Sequence, residues 1–254
     1  MMTMRSSGVP TFSSGPLALG IMLLGVLMSL ANAAHCAEPA AKPAAQRVLF
    51  LGNSITRHGP KVDIGWTGNF GMAASAAEKD YVHVLTSSLA VSMGALPDVM
   101  VENIADFERN AEAIDLKARL EKCLAFKPQI VVIAIGENVP QLRTEADKAA
   151  FGRRFQKLLE TFKVKDGPAL FVRGCFWPDA AKDQVMQKVS LEAEATFVDI
   201  SDLGKDPANR ARAERQIAHD GVAAHPGDKG MKAIADALLK AISERMPPSQ
   251  KKAK

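Results

Sequence analysis

Apolar residues recur along this chain in two alternating rhythms. Short apolar runs predict buried strands at Arg47–Leu51 (closed by Gly52), at 98–104 with Val99, Val101 and Ile104, at Ile130–Ile135, at Leu170–Val172, and at Phe197, Val198 and Ile200. Between them, apolar residues at helical spacing predict helices. Ser75 and Glu78 have capping-box spacing ahead of Val82, Leu85 and Leu89. Ala113, Leu116, Leu120 and Leu124 predict one continuous helix from Asn110 to Phe126, ended by Pro128. Thr144 and Asp147 form a second box ahead of Phe151, Phe155, Leu158 and Phe162, and residues 179–191 carry Val185, Met186 and Val189. A last helix carries Met231, Ile234, Leu238 and Ile242. The polar segment before it, 201–227, is too long for an ordinary connection, so it is partly helical or functional.

Strands alternating with helices give an α/β fold: a central five-stranded parallel sheet with helices on both faces. The unbroken run at 130–135 has no polar face and belongs in the middle of that sheet. Ligands in such sheets sit beyond the carboxyl ends of the strands, near the point where the winding reverses. The residues just after each strand are therefore the ones to examine.

Composition narrows the classes without changing this architecture. With 254 residues, 47% hydrophobic and 24% charged, the chain is neither disordered nor a multi-span membrane protein. A scattered net charge of +4 is not the footprint of a nucleic-acid binder, and three Cys are too few for a disulfide scaffold. Arg5 is the only charge before Glu38, and the apolar run Leu17–Ala31 falls short of the ~20 residues a spanning helix needs. Residues 1–33 therefore read as a secretory signal, cut after Ala33 or alternatively Ala37, which sends the protein out of the cytoplasm with no stable membrane span. Retention of that run as an anchor is the rival reading. Residues 34–46 read as a linker, 47–246 as one domain and 247–254 as a basic tail. Zinc-site and phosphate-loop patterns are absent, and no metal or organic cofactor is expected.

Three signals follow the strands. Gly52-Asn53-Ser54-Ile55-Thr56 places a Ser on a sharp turn, as a nucleophile or simply a helix cap. Gly136-Glu137-Asn138 places an Asn that can donate to a developing oxyanion or close an Asx turn. His225-Pro226-Gly227 places a His in a loop before the last helix, with Asp220 upstream to orient it. Two other acids compete for that role. Asp228 is already explained by the dipole of the last helix, and Asp199 by capping or local pairing at the end of the fifth strand. Nucleophile, oxyanion donor, general base and orienting carboxylate together are the parts of acyl transfer.

Those motifs resemble the SGNH (GDSL-like) hydrolases over roughly residues 47–246. The resemblance implies a flavodoxin-like three-layer α/β/α sandwich and ester hydrolysis, with Ser54, His225 and Asp220 catalytic and Asn138 in the oxyanion hole beside the Ser54 N–H. The chain departs from the family pattern in three places. Ala105 or Asp106 stands where the second motif has a Gly whose N–H binds the oxyanion. Val222 occupies the expected Asp position of Asp-x-x-His. Val139 replaces the Asp that commonly follows the Asn. The expected function is thus an exported serine esterase acting through an acyl-enzyme, on small-molecule or carbohydrate O-acyl esters. Its rival is a non-catalytic carbohydrate-binding domain on a decayed scaffold. His58, Trp66 and Arg173 are candidate substrate-binding residues, with Trp177 beside them. Cys123 reads as helix core, and Cys175 as a candidate reactive thiol.

Overall fold

A computed structural model of the chain describes residues 46–246. The predicted signal, all but the last linker residue and the basic tail lie outside the described residues. Five parallel strands form one sheet in the order β2-β1-β3-β4-β5: β1 Arg47–Gly52, β2 Asp98–Asn103, β3 Ile130–Ala134, β4 Ala169–Arg173 and β5 Thr196–Val198. This is the flavodoxin-like order, with its reversal between β1 and β3. Every residue of β3 is buried, as its unbroken apolar run requires.

Helices cover both faces. On one, α1 (Tyr81–Met93) and α9 (Asp228–Arg245) pack Tyr81, Leu85, Leu89, Met231, Ile234 and Leu238 against Val48, Phe50 and Val132. On the other, α5 (Glu145–Glu160) and α6 (Ala180–Glu192) pack Phe151, Phe155, Leu158 and Met186 against Leu49, Val131 and Ile133. The Thr144–Asp147 capping box forms as predicted.

Two helix predictions are corrected. Ser75 does not open a helix, because its N–H and hydroxyl both donate to the Asp228 carboxylate, at 2.8 and 2.5 Å. The N-cap of α1 is the buried Asp80, which accepts from the His83 N–H and also holds the Gly71 N–H. Asp228 is thus more than a dipole partner: it fastens the loop after β1 to the start of α9. The expected helix 110–126 is instead broken into α2 (Ala105–Asn110), a 3-10 turn, α3 (Leu116–Arg119) and α4 (Glu121–Ala125). Asp115 breaks it by accepting from the Lys117 and Ala118 N–H groups and starting a new helix there.

The polar segment 201–227 contains α7 (Ser201–Lys205), two 3-10 turns and the single-turn α8 (Asp220–Ala223). It works as a strap. Ala211 N–H donates to the His225 carbonyl and Gly227 N–H to the Asn209 carbonyl, both at 2.9 Å. Glu214 then caps α9 from outside the helix, taking the Asp228 and Lys229 N–H groups at 2.7 Å.

Candidate active site

The sheet register brings the three strand-end motifs to one level. Gly52 of β1 pairs with Asn103 of β2 on one side and with Ala134 of β3 on the other. The chain leaves all three strands together, so Ser54, Ala105 and Gly136 lie in loops at the same end of the sheet. Gly136 turns with a φ of 126°, a conformation L side chains rarely adopt, and a Cβ there would run into the Cys175 thiol.

Ser54 Oγ lies 2.9 Å from His225 Nε2. On the far side of the ring, Nδ1 lies 2.7 Å from the Gly221 carbonyl oxygen. A carbonyl only accepts, so Nδ1 carries the proton and Nε2 is left to accept from the Ser54 hydroxyl. The local backbone explains why that carbonyl is free. At the end of α8 the His225 N–H bonds to Val222 O, tightening the last turn and leaving Gly221 O without a main-chain partner. Trp177 backs the imidazole edge-on, with ring centroids 5.0 Å apart, and is itself fixed by its indole N–H donating to the Ala224 carbonyl.

Behind these loops lies a buried polar network. Glu137, in the middle of the Gly-Glu-Asn motif, pairs with Arg173 at 2.7 Å, and both side chains are essentially inaccessible. Glu137 also accepts from the Asn53 amide and the Phe176 N–H. Glu108 of α2 accepts from Asn53 Nδ2, the Gly136 and Asn138 N–H groups, and Asn138 Nδ2. Burial works against the Glu137 charge, but the Arg173 guanidinium overrides it and holds the carboxyl below its usual range. Burial and the neighbouring Glu137 charge push Glu108 above the usual carboxylate range, against its hydrogen bonds from Asn138 and Gly136.

The profile of the GDSL-like lipase/acylhydrolase family matches residues 50–233, spanning all three motifs. The chain belongs to that family. It is a GDSL-type esterase. Its fold is shared with a mutant of Axe2, an acetyl-xylooligosaccharide esterase from Geobacillus Stearmophilus, at 22% identity and a TM-score of 0.52, covering 78% of this chain and 94% of that one. It is shared too with the acetyl xylan esterase AlAXEase, at 18% identity and a TM-score of 0.51, covering 77% and 99%. No curated protein matches the chain.

In this esterase several sequence-predicted residues stand elsewhere than expected. Asp220 is exposed, at the start of α8, and among the described residues its carboxylate makes no hydrogen bond to His225. The turn of α8 directs its side chain outward and sets the Gly221 carbonyl where a carboxylate was expected. Asp220→Asn should therefore leave kcat within a few-fold of the parent on a nitrophenyl ester, since an exposed charge couples weakly. A loss of orders of magnitude would restore Asp220 as the orienting acid. Asp199 accepts from the Ser201 N–H two residues on, a local pairing rather than a contact with His225.

The Ala105 N–H is engaged by Asn103 Oδ1 at 2.9 Å, which leaves the neighbouring Asp106 as the candidate N–H from the second motif. The Asp106 carboxylate itself faces away, paired with Arg119 at 2.8 Å. Trp66 is not a surface platform: it is 7% exposed, packed edge-on against Phe70, with its indole N–H on the His58 carbonyl. Arg173 is fully buried on Glu137 and cannot reach a substrate. His58 is half-buried, with Nδ1 2.6 Å from the Gly59 carbonyl. Cys123 is core, as expected, while Cys175 is 1% exposed and burial pushes its thiol far up, which makes it inert.

The sequence reading missed Glu108 and the pairing of Glu137. The available signal was an acid just past each of two strands, within motifs already singled out for other residues.

Burial pushes the His225 pKa below its ordinary value, against the Gly221 hydrogen bond. Glu137 pulls it up, while charge on His58 or His219 would lower it further. Were the neutral ring the base of the reaction, activity would survive until pH fell through this lowered value. The acid limb of kcat/KM should accordingly have its midpoint below the ~6.5 of a free imidazole. A midpoint above that would contradict the burial argument.

Proposed function

We propose that this esterase is exported and hydrolyses small O-acyl esters, with acylated carbohydrates as the substrate class, through an acyl-enzyme on Ser54. The observation that carries the reading is the Ser54–His225 contact at 2.9 Å with His225 held in the productive tautomer by Gly221 O. Ser54 Oγ attacks the ester carbonyl as Nε2 takes its proton. The tetrahedral oxyanion is met by the N–H groups of Ser54 and Asp106 and by the Asn138 amide. Collapse expels the alcohol, which takes the proton from His225. Water, activated by the same ring, then releases the acid. On this reading Ser54 and His225 form a dyad steadied by a main-chain carbonyl in place of an acid.

Export is supported by the apolar run and small-residue cleavage pattern at 17–33. Among the described residues no helix is long and apolar enough to cross a membrane. No long apolar helix among them offers itself for lipid docking, which favours sugar esters over lipid esters; the names of the two structural relatives point the same way. The test is a series of nitrophenyl esters of increasing chain length alongside acetylated xylo-oligosaccharides. Highest kcat/KM on acetyl esters supports the reading, and a preference for long acyl chains overturns the carbohydrate assignment. Sequencing the N-terminus of the exported protein tests cleavage after Ala33.

A further inference from the structure

We propose that Glu108 and Arg109, consecutive residues of α2, clamp the Asn138 amide from its two ends and thereby decide which end faces the reacting ester. Both act through Asn138 and are positioning residues. The inference deepens the esterase reading above and rests on Asn138 as an oxyanion donor.

The two ends of an Asn amide are nearly isosteric, so a turn that places Asn138 does not choose its orientation. The neighbours here do. Asn138 Nδ2 donates to Glu108 Oε2 at 2.7 Å, and Arg109 Nη2 donates to Asn138 Oδ1 at 3.0 Å. A carboxylate only accepts and a guanidinium only donates. A flipped amide would set oxygen against carboxylate and N–H against guanidinium, losing both bonds at once. Nδ2 carries two hydrogens; Glu108 takes one and the other is left for the oxyanion. Glu108 is 4% exposed, and its other oxygen receives the Gly136 and Asn138 N–H groups at 2.7 and 3.1 Å. One carboxylate thus fixes both the turn and the rotation of the side chain it carries. Preorganised donors of this kind avoid reorganisation as charge develops.

The test is steady-state hydrolysis of nitrophenyl acetate by Glu108→Gln, Arg109→Ala, Asn138→Ala and the two double variants containing Asn138→Ala. In Glu108→Gln, the backbone N–H groups keep the amide oxygen at the Oε1 position. Its NH₂ then meets the NH₂ of Asn138 and turns it. We expect kcat to fall toward the ~10²–10³-fold loss of Asn138→Ala itself, with KM unchanged. Adding Glu108→Gln to Asn138→Ala should cost nothing further. Arg109→Ala, at an exposed position, should lower kcat about threefold to tenfold, again only while Asn138 is present. This second pair carries the test if Glu108→Gln does not fold.

The same fractional loss with and without Asn138 would overturn the clamp. So would a rise in KM with kcat intact in Arg109→Ala, which would place Arg109 on the substrate. An undiminished kcat in Asn138→Ala would remove the premise that Asn138 is a donor. An inert protein in every variant and the parent would instead defeat the esterase reading.

Discussion

Ser54→Ala should lower ester turnover by at least about 10⁴-fold while leaving the protein folded. The change deletes one hydroxyl at a partly exposed turn and no core volume. The Ser54 carbonyl still accepts from the Met72 N–H at 2.8 Å, and the Asn53 side chain still holds the Ile55 N–H at 3.1 Å. The thermal midpoint should therefore stay within a degree or two, the range of a ~0.5 kcal/mol surface substitution in a domain of this size. A fluorophosphonate should label the parent and not the variant. Near-parental turnover in a folded Ser54→Ala protein would remove the serine mechanism, and labelling at another residue would relocate the nucleophile.

Arg173→Met should be strongly destabilising. It strands Glu137 as a buried charge beside a second carboxylate, Glu108, and removes the guanidinium bond to the Gly174 carbonyl. Breaking a buried pair from one side costs about 3–5 kcal/mol, on the order of 10 °C in thermal midpoint here. Adding Glu137→Gln to Arg173→Met should recover part of the loss, because the stranded charge is then gone. An unchanged midpoint in Arg173→Met, followed by circular dichroism, would refute the claim that the buried pair holds these loops together.

What could be read in the sequence follows the range of the physics involved. The strands at 47–52, 98–103 and 130–134 and the Thr144–Asp147 box rest on residues that interact with their sequence neighbours or with a sheet whose apolar faces are periodic. Ser75 looked like a helix cap because its local spacing fits one, but its partner is Asp228, 153 residues away, and that contact won. The same holds for Glu108, an ordinary surface acid by sequence, which finds donors 55 residues before it and 28 and 30 residues after it. Asp220 was chosen for its side chain when the group that meets His225 is the carbonyl of the next residue, and every residue has one. Ser54, Asn138 and His225 were identifiable as candidates because each sits where a parallel sheet gathers its ligands. The groups that aim them were not, because aim depends on contacts between distant loops.

The Ser54–His225 contact joins two ends of the domain 171 residues apart. Ser54 follows the first strand, whereas His225 lies on the segment leading into the final helix. That segment is held by Asn209 and Ala211 and by the docking of α9 on α1. With that docking lost, Ser54 would keep its hydroxyl and lose its partner His225. On the proposed mechanism, a truncation or cut that frees the last helix would silence ester turnover without touching Ser54.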